Sequence, residues 1–152
     1  MGMRMNDEQN RTIALAIFGK IQTAFPKLAM DLHLHPEHVD LELLIPTQSG
    51  LTVPVKLNLQ GDELHMNAAS FWLEWFPCHN EVVQARYFRA VTGFLSGELR
   101  ILEYRRGNRV VKAVLQEPDG NEWKTIGRYL QFHWPFPWKK TVQEIRNAQP
   151  SA

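Results

Sequence analysis

The stretch SFWLEWFPCHNEVVQARYFRAVTGFLSG, Ser70 to Gly97, ends a strand, turns at Pro77 and opens a helix, and elements of similar order lie on either side of it. Asn80 is suited to cap the helix, because its side chain can accept from backbone N–H groups of the first turn. Glu81 follows where the helix dipole favours a negative charge. From Val83, the residues Tyr87, Ala90, Val91 and Phe94 recur at the spacing of a core-facing stripe, flanked by Phe88 and Leu95. Arg86, Arg89 and Thr92 point away from that stripe. Gly97 stands where a left-handed residue would stop the helix.

Ahead of the helix, Phe71, Trp72, Trp75 and Phe76 crowd together. In a strand, Phe71, Leu73 and Trp75 share one face, and Trp72, Glu74 and Phe76 the other. Rings on both faces mean a strand covered on both sides or the lip of a binding site.

The 152 residues suit one domain with a proper core, Met1 to Ala152, with 1–5 and 149–152 expected to fray. A hydrophobic content of 44% with 22% charged residues is globular rather than disordered. No apolar run approaches the roughly 20 residues of a membrane helix, so no membrane partner is expected. MGMRMNDEQN does not read as a secretory signal, and one cysteine excludes an internal disulfide. A cytoplasmic protein is the resulting expectation. The net charge is +1, but Met1 to Ala85 holds five Lys/Arg against ten Asp/Glu, and Arg86 to Ala152 twelve against six. Halves of opposite charge let two copies attract each other, and a homodimer or other homo-oligomer is expected on that ground.

Along the chain, Asn6 is placed to cap a first helix, with Ile13, Ile17, Ile21, Ala24 and Phe25 at helical spacing and Pro26 closing it. His33, His35 and His38 form H-x-H-x-x-H, but Pro36 breaks the geometry that three converging ligands need. A polar connector is expected there, with no metal and no cofactor. Val39 to Ile45 and Leu51 to Gln60 alternate as strands, and Pro54 would put the second at a sheet edge. Leu64 to Trp75 follows as one strand. Beyond Gly97, Leu99 to Arg105, Val110 to Glu117 and Glu122 to Tyr129 form a meander through turns at Gly107-Asn108 and Pro118-Asp119-Gly120. Trp134, Phe136 and Trp138 alternate with prolines in an extended strap over a sheet face or an exposed binding motif. Lys139 to Asn147 is assigned a short last helix.

The fold expected is α+β, with antiparallel sheet(s) and helices packed on one face, in the order α-βββ-α-βββ-(short α). No complete catalytic motif is present. Cys78 precedes a helix N-terminus, where the dipole would lower its pKa, and His79 adjoins it, but no orienting third group or oxyanion site accompanies them. No glycine-rich phosphate loop occurs. Basic strands near Tyr104, Trp123 and Tyr129 make nucleic acid a candidate partner, but Glu103, Glu117 and Glu122 interrupt the patch. A non-catalytic protein is therefore expected, holding a protein or peptide on Phe71, Trp72, Trp75, Phe76, Cys78, His79, Trp134, Phe136 and Trp138. The alternative is a small-molecule-binding protein or enzyme, with a pocket between the sheet and the central helix and Cys78, His79 and Glu74 at its mouth.

Overall fold

The computed structural model describes residues 2–131 and 140–148, with side chains from residue 6 onward. The strap carrying Trp134, Phe136 and Trp138 lies outside the described residues. The class is α+β, with two helices and two antiparallel sheets among the described residues. In chain order the elements are α1 (Gly2–Ala24), β1 (Asp31–His33), β2 (Leu41–Ile45), β3 (Val55–Gln60), β4 (Glu63–Ala68), β5 (Phe71–Trp75), α2 (Glu81–Ser96), β6 (Arg100–Arg106), β7 (Arg109–Asp119), β8 (Glu122–Leu130) and β9 (Lys140–Ile145). The first sheet runs β1-β2-β3-β4-β5 and the second β8-β7-β6-β9. No helix among the described residues is long and apolar enough to cross a membrane.

The central helix forms as its sequence dictates. Asn80 Oδ1 accepts from the backbone N–H groups of Val82 at 2.9 Å and Val83 at 3.2 Å. Gly97 adopts φ 82° and its N–H returns to the Phe94 carbonyl, ending the helix. Tyr87, Ala90, Val91, Phe94 and Leu95 are buried. Tyr87 donates its hydroxyl proton to the His65 carbonyl at 2.8 Å, so the one polar atom of that ring is satisfied as it enters the core. Ala14, Ile17, Phe18 and Ile21 of α1 meet the apolar rows of the first sheet in the same core. Those rows alternate as the pleat requires: Leu41, Leu59, Leu64 and Trp75 lie in one register line, and Leu43, Leu57, Met66 and Leu73 in the next.

Several boundaries differ from expectation, each for a physical reason. The first helix begins at Gly2, so Asn6 lies inside it and does not cap it. The stretch after Met30 is not only a connector: Asp31–His33 pairs with β2. Pro54 precedes β3, which sits mid-sheet rather than at an edge; the strand starts where every residue can donate to the ladder. The expected strand from Leu64 to Trp75 is a hairpin, turning at Ala69 and Ser70 with Ala69 at φ 52°. The last segment is a strand, not a short helix. Thr141, Val142 and Ile145 are β-branched, and β9 covers an edge of β6 that would otherwise stand open.

The two sheets meet where β8 crosses β5. Gly127 faces Phe71 and Leu73 so closely that an added Cβ would stand 2.7 Å from Leu73 Cδ2 and 3.3 Å from Phe71 Cζ. A second tie is polar. Glu103 on β6, only 2% exposed, accepts from the Ser70 N–H at 3.0 Å and from Arg105 at 3.1 Å. Burial pushes its carboxyl up, but the hydrogen bonds from Ser70 and Arg105 and the Arg105 charge outweigh it and hold the group below the ordinary glutamate value.

Gly127→Ala is expected to destabilise the protein by about 1–3 kcal/mol through overpacking, measured as a lower urea midpoint at constant m. A change under about 0.5 kcal/mol, the range of ordinary surface substitutions, would show that the strands separate freely there. Because the Glu103 carboxyl titrates below its unfolded value, its contribution is present above the unfolded pKa and lost as pH falls through the folded one. Glu103→Ala is therefore expected to cost about 1–3 kcal/mol at neutral pH and to flatten the acid limb of the stability profile, measured by urea melts across pH.

Candidate functional site

The described residues singled out by the sequence do not fall in one place. Phe71 is fully buried in the core. Trp72 lies on the opposite face of β5, edge-on to His65 at 5.2 Å and to Tyr129 at 6.1 Å. Trp75 is half-buried, edge-on to Tyr87 at 5.3 Å. Phe76 is 55% exposed just after β5, and Val82, 58% exposed, stands at the start of α2. Cys78 is buried, and His79 lines a separate hollow of about 450 Å³ with Asn6, Gln9, Asn10 and Asp62.

The Cys78 thiol pKa moves opposite to the lowering that a helix N-terminus would give. Its thiol donates to Asn10 Oδ1 at 3.3 Å, and Gln84 donates to its carbonyl at 2.8 Å. Burial, reinforced by the negative charge of Asp62, raises its pKa against a smaller lowering from a backbone hydrogen bond. The neutral thiol is thus favoured, and the residue serves to join α1 to the start of α2. Glu74 stands with His65 on the outer face of the sheet. Cys78, His79 and Glu74 therefore do not form one mouth.

What the chain does assemble is a groove of about 340 Å³ between α2 and β8. Trp75, Ala90 and Ile126 supply its apolar surface; Arg86 and Arg89 line it from α2, and Lys124, Thr125 and Glu117 from the second sheet. Ile126 is there because β8 carries an extra residue: Leu115 opposes Gly127 and Gln116 opposes Thr125, which leaves Ile126 unmatched. A bulge of this kind re-aims one side chain and bends the strand. Arg89 is held by Glu98 through two bonds of 2.8 and 3.0 Å and lies 3.9 Å from Glu117. Arg86 and Lys124 have no ion-pair partner among the described residues, and they stand on facing walls.

Elsewhere several cations of the second sheet lie against its own rings and acids. Arg100 lies 4.1 Å from the Trp123 ring centre and pairs with Glu144 at 2.7 Å; Arg146 lies 5.0 Å from the same ring. Tyr104 sits between Lys112 and Lys140 at 4.8 and 4.6 Å. A hollow of about 490 Å³ beside β9 contains Glu103 and Arg105, whose carboxylate is already engaged.

The outer face of the first sheet carries a polar row that only the strand register reveals: His33, Glu42, Asn58, His65 and Glu74 lie opposite one another across β1 to β5. His33 pairs with Glu42 at 2.8 Å, while His35 and His38 are exposed and do not join it. At the other end His65 Nε2 lies 3.0 Å from Glu63 and 3.8 Å from Glu74. Two of these residues have a signal in the sequence, since Glu63 and His65 two apart share a strand face. Neither Asn58 nor Glu74 can be joined to them without knowing the hairpin.

Comparison with protein-family models, with curated proteins and with solved structures finds no match to this chain.

Iodoacetamide is expected to modify Cys78 at neutral pH at least tenfold more slowly than free cysteine, because both burial and the raised pKa reduce exposed thiolate. Mass-spectrometric time courses check this; a rate equal to or above that of free cysteine would restore an activated thiol.

Proposed function

We propose that this protein is a non-catalytic binding protein that holds an extended, acidic and apolar segment of a protein partner in the groove between α2 and β8. The observation that carries this is the bulge, which brings Ile126 to the same groove as Trp75, between Arg86 and Lys124, two cations with no ion-pair partner among the described residues. An apolar floor with cationic walls complements alternating apolar and acidic side chains. Among the described residues β8 is also the outer strand of its sheet, hydrogen-bonded in the ladder only to β7, and an outer strand is a template for a further strand from another chain. Phe76 and Val82 extend the apolar surface at the β5–α2 junction.

Nucleic acid is the weaker candidate, because Arg100, Lys112 and Lys140 of the second sheet lie over its own rings Trp123 and Tyr104, and Arg100 also pairs with Glu144. The chain's own first half is acidic, so a second copy also offers suitable segments, and homo-oligomerisation through the same groove is the competing occupancy. The one cysteine, a free buried thiol, suits a reducing compartment such as the cytoplasm.

Fluorescence polarisation with labelled ten-residue peptides that alternate Leu or Ile with Glu tests the proposal against peptides carrying Lys instead. The acidic peptides are expected to bind more tightly, and Arg86→Glu and Ile126→Asp each to weaken them about tenfold, the effect of a central contact. Equal binding of the two peptide sets, or binding indifferent to both substitutions, removes the groove. Sedimentation equilibrium separates the competing occupancy: a homo-oligomer that Ile126→Asp dissociates assigns the groove to a second copy.

A further inference from the structure

We infer that Glu63, His65 and Glu74, with the carboxamide oxygen of Asn58, form a binding site for a single divalent transition-metal cation such as Zn²⁺ on the outer face of the first sheet. The donor set is the starting point. His65 Nε2 and one oxygen from each carboxylate lie within 4.8 Å of one another. Ligands about 2.1 Å from one tetrahedral ion are about 3.4 Å apart, so half-exposed glutamates need only small side-chain rotations to close on it. Imidazole with carboxylate oxygen is a set that zinc and its neighbours accept.

Backbone register rather than chance proximity brings these groups together. His65 and Glu74 are directly opposite on β4 and β5, and Glu63 stands two residues before His65 on the same face. The Tyr87 hydroxyl bond to the His65 carbonyl pins this part of β4 from the core side. Trp72 packs edge-on to the imidazole and limits its rotation.

Asn58 is an independent indication. It is the residue directly opposite His65 on β3, so the two side chains rise from the same face about 5 Å apart at Cβ. Asn58 is 95% buried by its 5% exposure, yet its Oδ1 has no hydrogen-bond partner among the described residues. A buried acceptor left unmet is costly, and its position beside the imidazole fits a fourth ligand or an acceptor for metal-bound water. The charge balance agrees. Glu63 and Glu74 have no Lys or Arg partner among the described residues; His65 is the one group that both approach. With a neutral imidazole the cluster carries two uncompensated negative charges, which a divalent cation neutralises.

Calorimetric titration of the chelator-treated full chain with Zn²⁺ alone tests the site. One ion per chain is expected. Glu63→Gln and Glu74→Gln, conservative changes at half-exposed positions that leave the fold intact, should each weaken binding tenfold or more. Asn58→Leu should weaken it about 10–100-fold, the effect of losing an orienting partner. Replacing His33, His35 and His38 together by alanine should change nothing. Co²⁺ should give visible absorption bands that Glu74→Gln abolishes. Absence of stoichiometric binding, or binding that survives both glutamine variants, overturns the proposal and leaves His65 as an ion-paired histidine between two carboxylates. Unchanged affinity in Asn58→Leu with a raised melting temperature removes Asn58 from the site and refutes the four-residue assignment. Failure of the peptide experiments on the α2–β8 groove bears on none of these outcomes.

Discussion

The approach of β8 to β5 at Gly127 is the constraint on which the rest of the structure depends. The two antiparallel sheets contribute to one core and come closest at this crossing, where a side chain on residue 127 would hold them apart. With no Cβ at 127, Phe71 and Leu73 fill the space directly. The same crossing fixes what lies beside it. Tyr129, two residues on, reaches Trp72; Ile126, one residue before, is displaced into the groove with Trp75.

Polar ties reinforce this apolar contact where the sheets diverge. Glu103 reaches from β6 to the turn between β4 and β5, and Asn147 accepts from the Thr52 N–H at 3.1 Å while donating to the Phe94 carbonyl at 3.0 Å. Each group is buried, and each is satisfied by backbone from another element. Such bonds add little net stability compared with the apolar core, but leaving their partners unmet would be expensive. They therefore act mainly against alternative arrangements of the two sheets.

The elements legible in the sequence were those specified by near neighbours. Asn80, the 3.6-residue stripe and Gly97 gave α2 with both ends, and the glycines at 107 and 120, at φ 62° and 63°, gave the meander. The hairpin at Ala69 was hidden because alanine is not the residue a positive φ predicts; β4 and β5 read as one alternating run. β9 was hidden because its partner β6 lies far upstream, and a short mixed segment carries no periodicity of its own. The candidate sites followed the same division. Trp75 was visible as an aromatic, whereas Arg86, Lys124 and Ile126 become one groove only through the bulge. Glu74 was visible as an acid among rings, whereas its place opposite His65 needs the missed hairpin.

Both candidate sites thus issue from a single five-residue strand, and its pleat assigns them to opposite faces. Phe71, Leu73 and Trp75 turn toward the core and the groove; Trp72 and Glu74 turn toward the polar row. A strand has period two, so a slip of one residue against β4 would exchange the sets, burying Glu74 beside Leu64 and presenting Leu73 to His65. The burial of Phe71 against β8 forbids that slip, and so does the opposition of Leu64 to Trp75. The packing that joins the sheets is therefore also what holds a carboxylate opposite an imidazole on one side and an indole at a cationic groove on the other.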